Sequence, residues 1–328
     1  MKRKVTYFNR NLSLGFSIQR VFKTITDEIG KTQQFEEFCM PSKRSMPWNI
    51  LRNSLFTYRN KSKNGINHIT GHIHEVVLGL FGCKTVLTVH DLVFIDNVHN
   101  PIKRFYKWLF WLYLPIKLSN KVVCISKQTK NKILNHIKTD KLTVIYNPID
   151  PIFEYIPKAF NKEKPIILHI GTGWNKNLKR VVESLVEISC HLRIVGNLSI
   201  EQKDFIQQSQ IEYSNVFKLS DIEIKQEYVN CDIVSFPSEY EGFGMPIIEG
   251  QKTGRVVVTS KIEPLIEVSG DAVTYVNPFD SSSIRLGFLK VIKDDAYRMR
   301  KIALGVENVE RFNVKKIAKE YVEIYNKL

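Results

Sequence analysis

Two glutamates stand at the ends of the run Glu241-Gly-Phe-Gly-Met-Pro-Ile-Ile-Glu249, whose residue types suit the binding of a polyhydroxylated anion. A carboxylate accepts two hydrogen bonds from a vicinal diol, and free backbone N–H groups around Gly242, Phe243 and Gly244, where a helix begins, suit a phosphate. Ile233–Phe236, just before the run, is a strand by composition, and Pro246 is well placed to open a helix. The order predicted is strand, loop, helix start, with Glu241 in the loop, Glu249 in the first helical turn and both carboxylates facing one crevice. Two glutamates alone also admit a plainer reading, in which Glu249 caps its helix and Glu241 is a solvated loop acid.

The whole run, with Phe236-Pro-Ser before it, resembles the E-x7-E signature of retaining, nucleotide-sugar-dependent glycosyltransferases of family 4, which have the GT-B fold. Other stretches match the same family. Gly171 and Gly173 begin a dinucleotide-like loop whose third glycine is replaced by Lys176, which argues against NAD and supplies a countercharge for a diphosphate. The Lys-Asn pair there resembles the family's donor-phosphate loop, although Thr172 stands where many members carry arginine. Phe217 to Asp232 resembles the segment before the key strand, where backbone around Lys218 and Leu219 would contact the nucleobase. His90, in a His-Asp pair ending the Val86 to Val89 strand, would lie near donor sugar and acceptor; a satisfied structural histidine is the alternative. Pro148 occupies a turn where the family usually has glycine, and the first loop, Asn9 to Gly15, offers only Gly15.

The resemblance implies an α/β protein of two Rossmann-like, doubly wound parallel-sheet domains facing across a cleft. The expected parts are an acceptor-side domain over 1–155, a nucleotide-sugar domain over 156–310 and a last helix, 311–328, crossing back to the first domain. It assigns catalysis to His90, Lys176 and Glu241. Donor binding falls to Gly171, Gly173, Lys176, Lys218, Leu219, Glu241, Gly242, Phe243, Gly244 and Glu249, with Glu249 on the ribose diol. There is no Asp-x-Asp motif to clamp a divalent metal, so no metal or cofactor is expected beside the UDP- or GDP-linked donor. A GT-B epimerase or phosphorylase is the nearest alternative function, followed by an NAD-dependent dehydrogenase.

The elements that must position these residues follow from the rest of the chain. Its 328 residues suit two domains, and strands expected near 5–8, 86–89, 122–126, 165–171, 192–195, 216–219, 233–236, 256–259 and 272–276 alternate with helical stretches. Residues 151–164, rich in Pro and Lys, read as the linker. The net charge of +15 favours anionic partners: nucleotide phosphates, a glycan or lipid-linked acceptor, or the surface of an anionic membrane. No zinc-finger, helix-turn-helix or RRM signature supports nucleic acid. Five scattered cysteines read as reduced, and neither a signal peptide nor a membrane-spanning run is evident, which predicts a cytoplasmic protein, at most on the inner membrane face. Residues 102–117 are aromatic and cationic, and read either as a core helix or as an interfacial helix inserting Trp108 and Trp111. His68, His72 and His74 have ligand-like spacing but no further ligand for zinc, and His68 and His72 are expected to hydrogen-bond in the interdomain cleft.

Overall fold

A computed structural model of the chain describes residues 3–11, 17–43 and 46–328 and divides into two compact units, Met1–Pro148 with Asn313–Leu328, and Ile149–Phe312. Most of the first loop, Gly15 included, lies outside the described residues.

The N-terminal unit is built on β1 (Val5–Asn9), β2 (Phe35–Cys39), β3 (Ile66–Ile69), β4 (Thr85–Val89), β5 (Lys121–Cys124) and β6 (Leu142–Val144). They pair in parallel in the order β2-β1-β3-β4-β5-β6. β1, β3 and β4 are buried along their whole length, polar Thr6, Asn67, His68 and Thr88 included, as central strands of a parallel sheet covered on both faces are. The last helix, Val314–Lys327, packs on Ser17–Gly30 within this unit.

The C-terminal unit contains β7 (Ile166–Ile170), β8 (His191–Val195), β9 (Tyr213–Val216), β10 (Ile233–Phe236), β11 (Val256–Ser260) and β12 (Thr274–Val276). Their order, β12-β11-β10-β7-β8-β9, reverses direction between β7 and β10. Chain connections leave that point on opposite sides of the sheet, so a crevice opens beyond the carboxyl ends of those two strands, and ligands of open α/β sheets bind there. The loops carrying Lys176 and Glu241 are the ones that follow β7 and β10.

The structure corrects several sequence expectations. The strand expected at 216–219 is Tyr213–Val216; Lys218 has φ 59°, outside strand geometry, and Ser220 starts the next helix in a reciprocal capping box with Glu223. β2, with two glutamates in Phe-Glu-Glu-Phe-Cys, was not expected; Glu36 is held there by Lys4 and Thr6. Residues 151–164 pack on the C-terminal unit, where Asp232 accepts from the backbone of Asn161 and Ile166 and pairs with Lys158. The helix expected over 102–117 is Pro101–Lys107, a π-helical turn Trp108–Tyr113 and Leu114–Leu118. Pro115 has no N–H for the carbonyl of Trp111, and His74 Nδ1 donates to that oxygen at 2.8 Å instead. Leu112 and Ile116 are buried, and Trp108 and Trp111 pack half-buried on the core. Among the described residues no helix is long and apolar enough to cross a membrane.

Candidate functional site

The loop after β7 is shaped around one lysine. Gly171 has φ 96°, and a Cβ there would stand 2.9 Å from Lys176 Cγ, so the lysine stem lies over a position only glycine fits. Gly173 precedes the single turn Trp174–Lys176, and Asn177, with φ 62°, turns the chain into the helix Leu178–Leu185. Asn177 Nδ2 donates to Pro237 O at 2.9 Å and to Pro278 O at 2.6 Å, binding three segments together.

The loop after β10 closes onto the same lysine. Glu239 N donates to Asn175 O at 2.9 Å, and Asn175 Nδ2 donates to Tyr240 O at 2.8 Å. Lys176 Nζ meets Glu241 Oε1 at 2.6 Å and lies 4.7 Å from the centre of the Phe236 ring. Both side chains of the pair are largely shielded, 22% and 13% exposed, so their attraction is screened less than that of a surface pair. Arg180 pairs with Glu239 beside them. The structure thus brings Gly171, Gly173, Lys176 and Glu241, 65 residues apart at the ion pair, to one edge of the sheet. Thr172 donates to Asn197 O, and its carbonyl accepts from Gln202.

Glu249 differs from expectation. The helix runs Met245–Lys252, so Glu249 is in its second turn, only 2% exposed, and its Oε2 accepts from the Tyr228 hydroxyl at 2.5 Å. Gly244 starts this helix at φ 113°, where a Cβ would stand 2.8 Å from Leu265. Gly242 lies in the loop before it, while the Phe243 side chain is buried edge-on against Phe312 and leaves only its backbone to a ligand. Lys218 and Leu219 occupy the turn after edge strand β9, at the same carboxyl end of the sheet.

Sequence reasoning missed three site residues. Tyr228 and Asn175 act through partners distant in sequence, and no local pattern marks them. His169, on β7 beside Ser235 of β10, is buried, and neither ring nitrogen has a partner of hydrogen-bond geometry, although the backbone of Ser235 and Gly171 lies near. Burial, then the neighbouring Lys176 charge, pushes its pKa down to about 4.

In the N-terminal unit, His90 directly follows β4 and its Nε2 donates to Thr70 O at 2.8 Å, which leaves Nδ1 as the bare nitrogen of the neutral ring. Burial, and next the charge on His72, hold its pKa well below the ordinary range. Gly71, φ 128°, makes room for it: a Cβ there would come within 2.3 Å of the ring. His72 stacks on His90 at 5.9 Å, and its Nε2 lies 3.5 Å from Asp91 Oδ2. His68 does not behave as expected. It is buried inside this unit, with Nδ1 2.7 Å from the Tyr325 hydroxyl and Nε2 2.8 Å from Thr88 Oγ1, because β3 runs under the last helix. His74 is engaged with Trp111, and among the described residues no three His, Cys, Asp or Glu side chains gather as a metal site.

Known proteins resemble both halves. Residues 28–153 match the model "Glycosyltransferase Family 4", and residues 153–304 match "Glycosyl transferases group 1". The O-antigen chain mannosyltransferase B of Escherichia coli is 32% identical over 271 residues, covering 75% of this chain and 71% of that protein. An uncharacterized glycosyltransferase of Methanocaldococcus jannaschii is 27% identical over 240 residues, 65% of this chain; the chain spans 61% of its length. The crystal structure of Anabaena HepE in complex with UDP and glucose superposes with a TM-score of 0.80 at 14% identity, over 99% of this chain and all of that one (100%), so the two share a fold.

Proposed function

The chain belongs to the group 1, family 4 glycosyltransferases with the GT-B fold, and from that premise we propose that it moves a hexose from a nucleoside-diphosphate sugar to a glycan or lipid-linked oligosaccharide, in cell-surface polysaccharide synthesis. The observation that carries this reading is the convergence of Lys176 and Glu241 at the switch point of the C-terminal sheet, among glycine turns. A UDP- or GDP-linked donor fits that chemistry, in keeping with the UDP named for the Anabaena structure and the mannosyl transfer named for the Escherichia coli relative.

In the proposed complex the diphosphate takes the Lys176 ammonium, and Glu241, released from it, accepts hydrogen bonds from the sugar hydroxyls. Glu249, already fixed by Tyr228, holds the ribose diol. The acceptor oxygen bonds to the anomeric carbon on the face the leaving group departs from. The bond from that carbon to the β-phosphate oxygen breaks, and this phosphate oxygen takes the acceptor's proton. Configuration is retained, and the products are a glycoside and a nucleoside diphosphate. The departing charge is met by Lys176 and the amides near Gly171 and Gly242–Gly244, without a metal. Neutral His90, with a bare Nδ1, is the proposed partner of a sugar or acceptor hydroxyl.

The test is transfer from a panel of UDP- and GDP-hexoses, mannose first, to a short lipid-linked oligosaccharide in the presence of a chelator, followed by NMR of the anomeric centre. A retained linkage formed under chelation is expected. Donor turnover without acceptor would point to an epimerase, and an inverted linkage would sink the mechanism.

A further inference from the structure

The helix Pro47–Asn60 turns Ile50 and Phe56 to the core and yet keeps large apolar side chains on its outward face. Its inward side buries Ile50 together with the polar Asn53 and Thr57, while Trp48, Leu51, Leu55 and Tyr58 form an outward stripe at helical spacing. Trp48 is 82% exposed and Tyr58 59%, a contiguous apolar patch of the sort that marks an interaction surface. Beside the stripe opens a groove of about 460 Å³, floored by Leu78 and Gly79 and walled on the far side by Tyr106 of the helix Pro101–Lys107 and Phe110 of the π-helical turn. On the helix Pro101–Lys107, Ile102 and Phe105 are also exposed, 81% and 60%.

The exposed charge on the stretches beside these apolar groups is cationic, while Glu75, near Tyr106, is buried. From Glu37 to Glu75 the chain has no acidic residue and six Lys or Arg; from Asp96 to Asp140 it again has none, with nine. Those two stretches supply both walls of the groove. Arg52, Arg59, Lys103 and Arg104 are exposed on them, and Lys61 sits over the Tyr58 ring at 4.2 Å. Exposed Trp and Leu flanked by exposed cations are the makeup of a helix that lies in a lipid interface, with apolar groups among the acyl chains and cations on anionic headgroups.

We propose that this face of the N-terminal unit docks on an anionic lipid bilayer, inserting Trp48, Leu51 and Leu55, with the groove beside them taking a hydrocarbon chain from the leaflet. The proposal goes beyond the transfer reaction and does not depend on it.

The full-length protein is sedimented with vesicles of phosphatidylcholine alone and of phosphatidylcholine mixed with phosphatidylglycerol, while tryptophan emission is followed. Sedimentation with the anionic vesicles and a blue shift that is lost in Trp48→Phe are expected. The double variant Leu51→Gln/Leu55→Gln should bind roughly tenfold to a hundredfold more weakly, from the loss of two inserted leucines. Because both leucines are exposed, this variant should keep the wild-type melting temperature and the wild-type response to nucleoside diphosphates, which separates failure of the docking proposal from failure of the transferase reading. No sedimentation with anionic vesicles would overturn the proposal, as would binding equal in the leucine variant. So would a dimer, seen by sedimentation velocity without lipid and abolished by the same variant, which would assign the face to a second copy.

Discussion

At the residue scale, the Lys176–Glu241 pair separates a role in binding from a role in stability. A partly shielded pair of this kind contributes on the order of 1 kcal/mol to folding, whereas a cation placed against a departing diphosphate acts where charge develops. Lys176→Met is therefore expected to lower kcat by roughly 10²- to 10³-fold while shifting the melting temperature little. A variant that melts early but turns over normally would make the lysine structural. Tyr228→Phe is expected to cost about 1–2 kcal/mol, since it removes the hydroxyl bonded to buried Glu249, and urea denaturation measures that loss. The run Glu241 to Glu249 stood out in sequence because its glutamates, glycines and proline are consecutive, but the burial of Glu249 against Tyr228 did not. Tyr228 and His169 were not legible in sequence, because their surroundings exist only once β7, β10 and the helix Met245–Lys252 are packed.

At the element scale, Asn177 is the joint of the site. It adopts a left-handed conformation, and its amide satisfies carbonyls from two other loops. Asn177→Ala should destabilise the protein by about 1–3 kcal/mol, because two buried carbonyls lose their donor and alanine tolerates this φ less well. It should also weaken donor binding, measurable by calorimetry; unchanged affinity would mean that the loops are held by other contacts. The strands were mostly readable, since fully buried parallel strands appear as apolar runs. β2 was not, because Glu36 is paired with Lys4 and Thr6 and Glu37 accepts from Asn9, partners about 30 residues away. The end of β9 was misplaced because Phe217 and Leu219 look β-prone, while the positive φ of Lys218 and the Ser220 cap decide the backbone. The π-helical turn was not readable either: Pro115 offers no N–H to the Trp111 carbonyl, and the donor it does meet, His74, is 37 residues away.

At the scale of the whole molecule, four histidines are kept neutral by burial: His68 at about 3, His74 and His169 at about 4, and His90 well below the ordinary range. Each takes up a proton more readily when unfolded, near pH 6.5, so stability present above that pH is lost as pH falls toward the folded values. Glu75, raised to about 7 by burial, works in the opposite direction, losing stability as pH rises from its unfolded value to 7. The histidines outnumber it, so the melting temperature should fall between pH 7 and pH 5, and less steeply in His68→Gln. A melting temperature unchanged over that interval would show that these rings are open to water.

The central claim is that the carboxyl edge of the C-terminal sheet is a metal-free site for a nucleoside diphosphate. It is tested most directly by thermal stabilisation of the wild type and Glu249→Ala with UDP, GDP and NAD in chelator, since a ligand bound to the folded state raises its melting temperature by mass action. The prediction is that UDP or GDP raises the wild-type melting temperature, NAD does not, and the variant loses most of the shift. A response to none of them, to NAD alone, or to a nucleotide equally in the variant would contradict it.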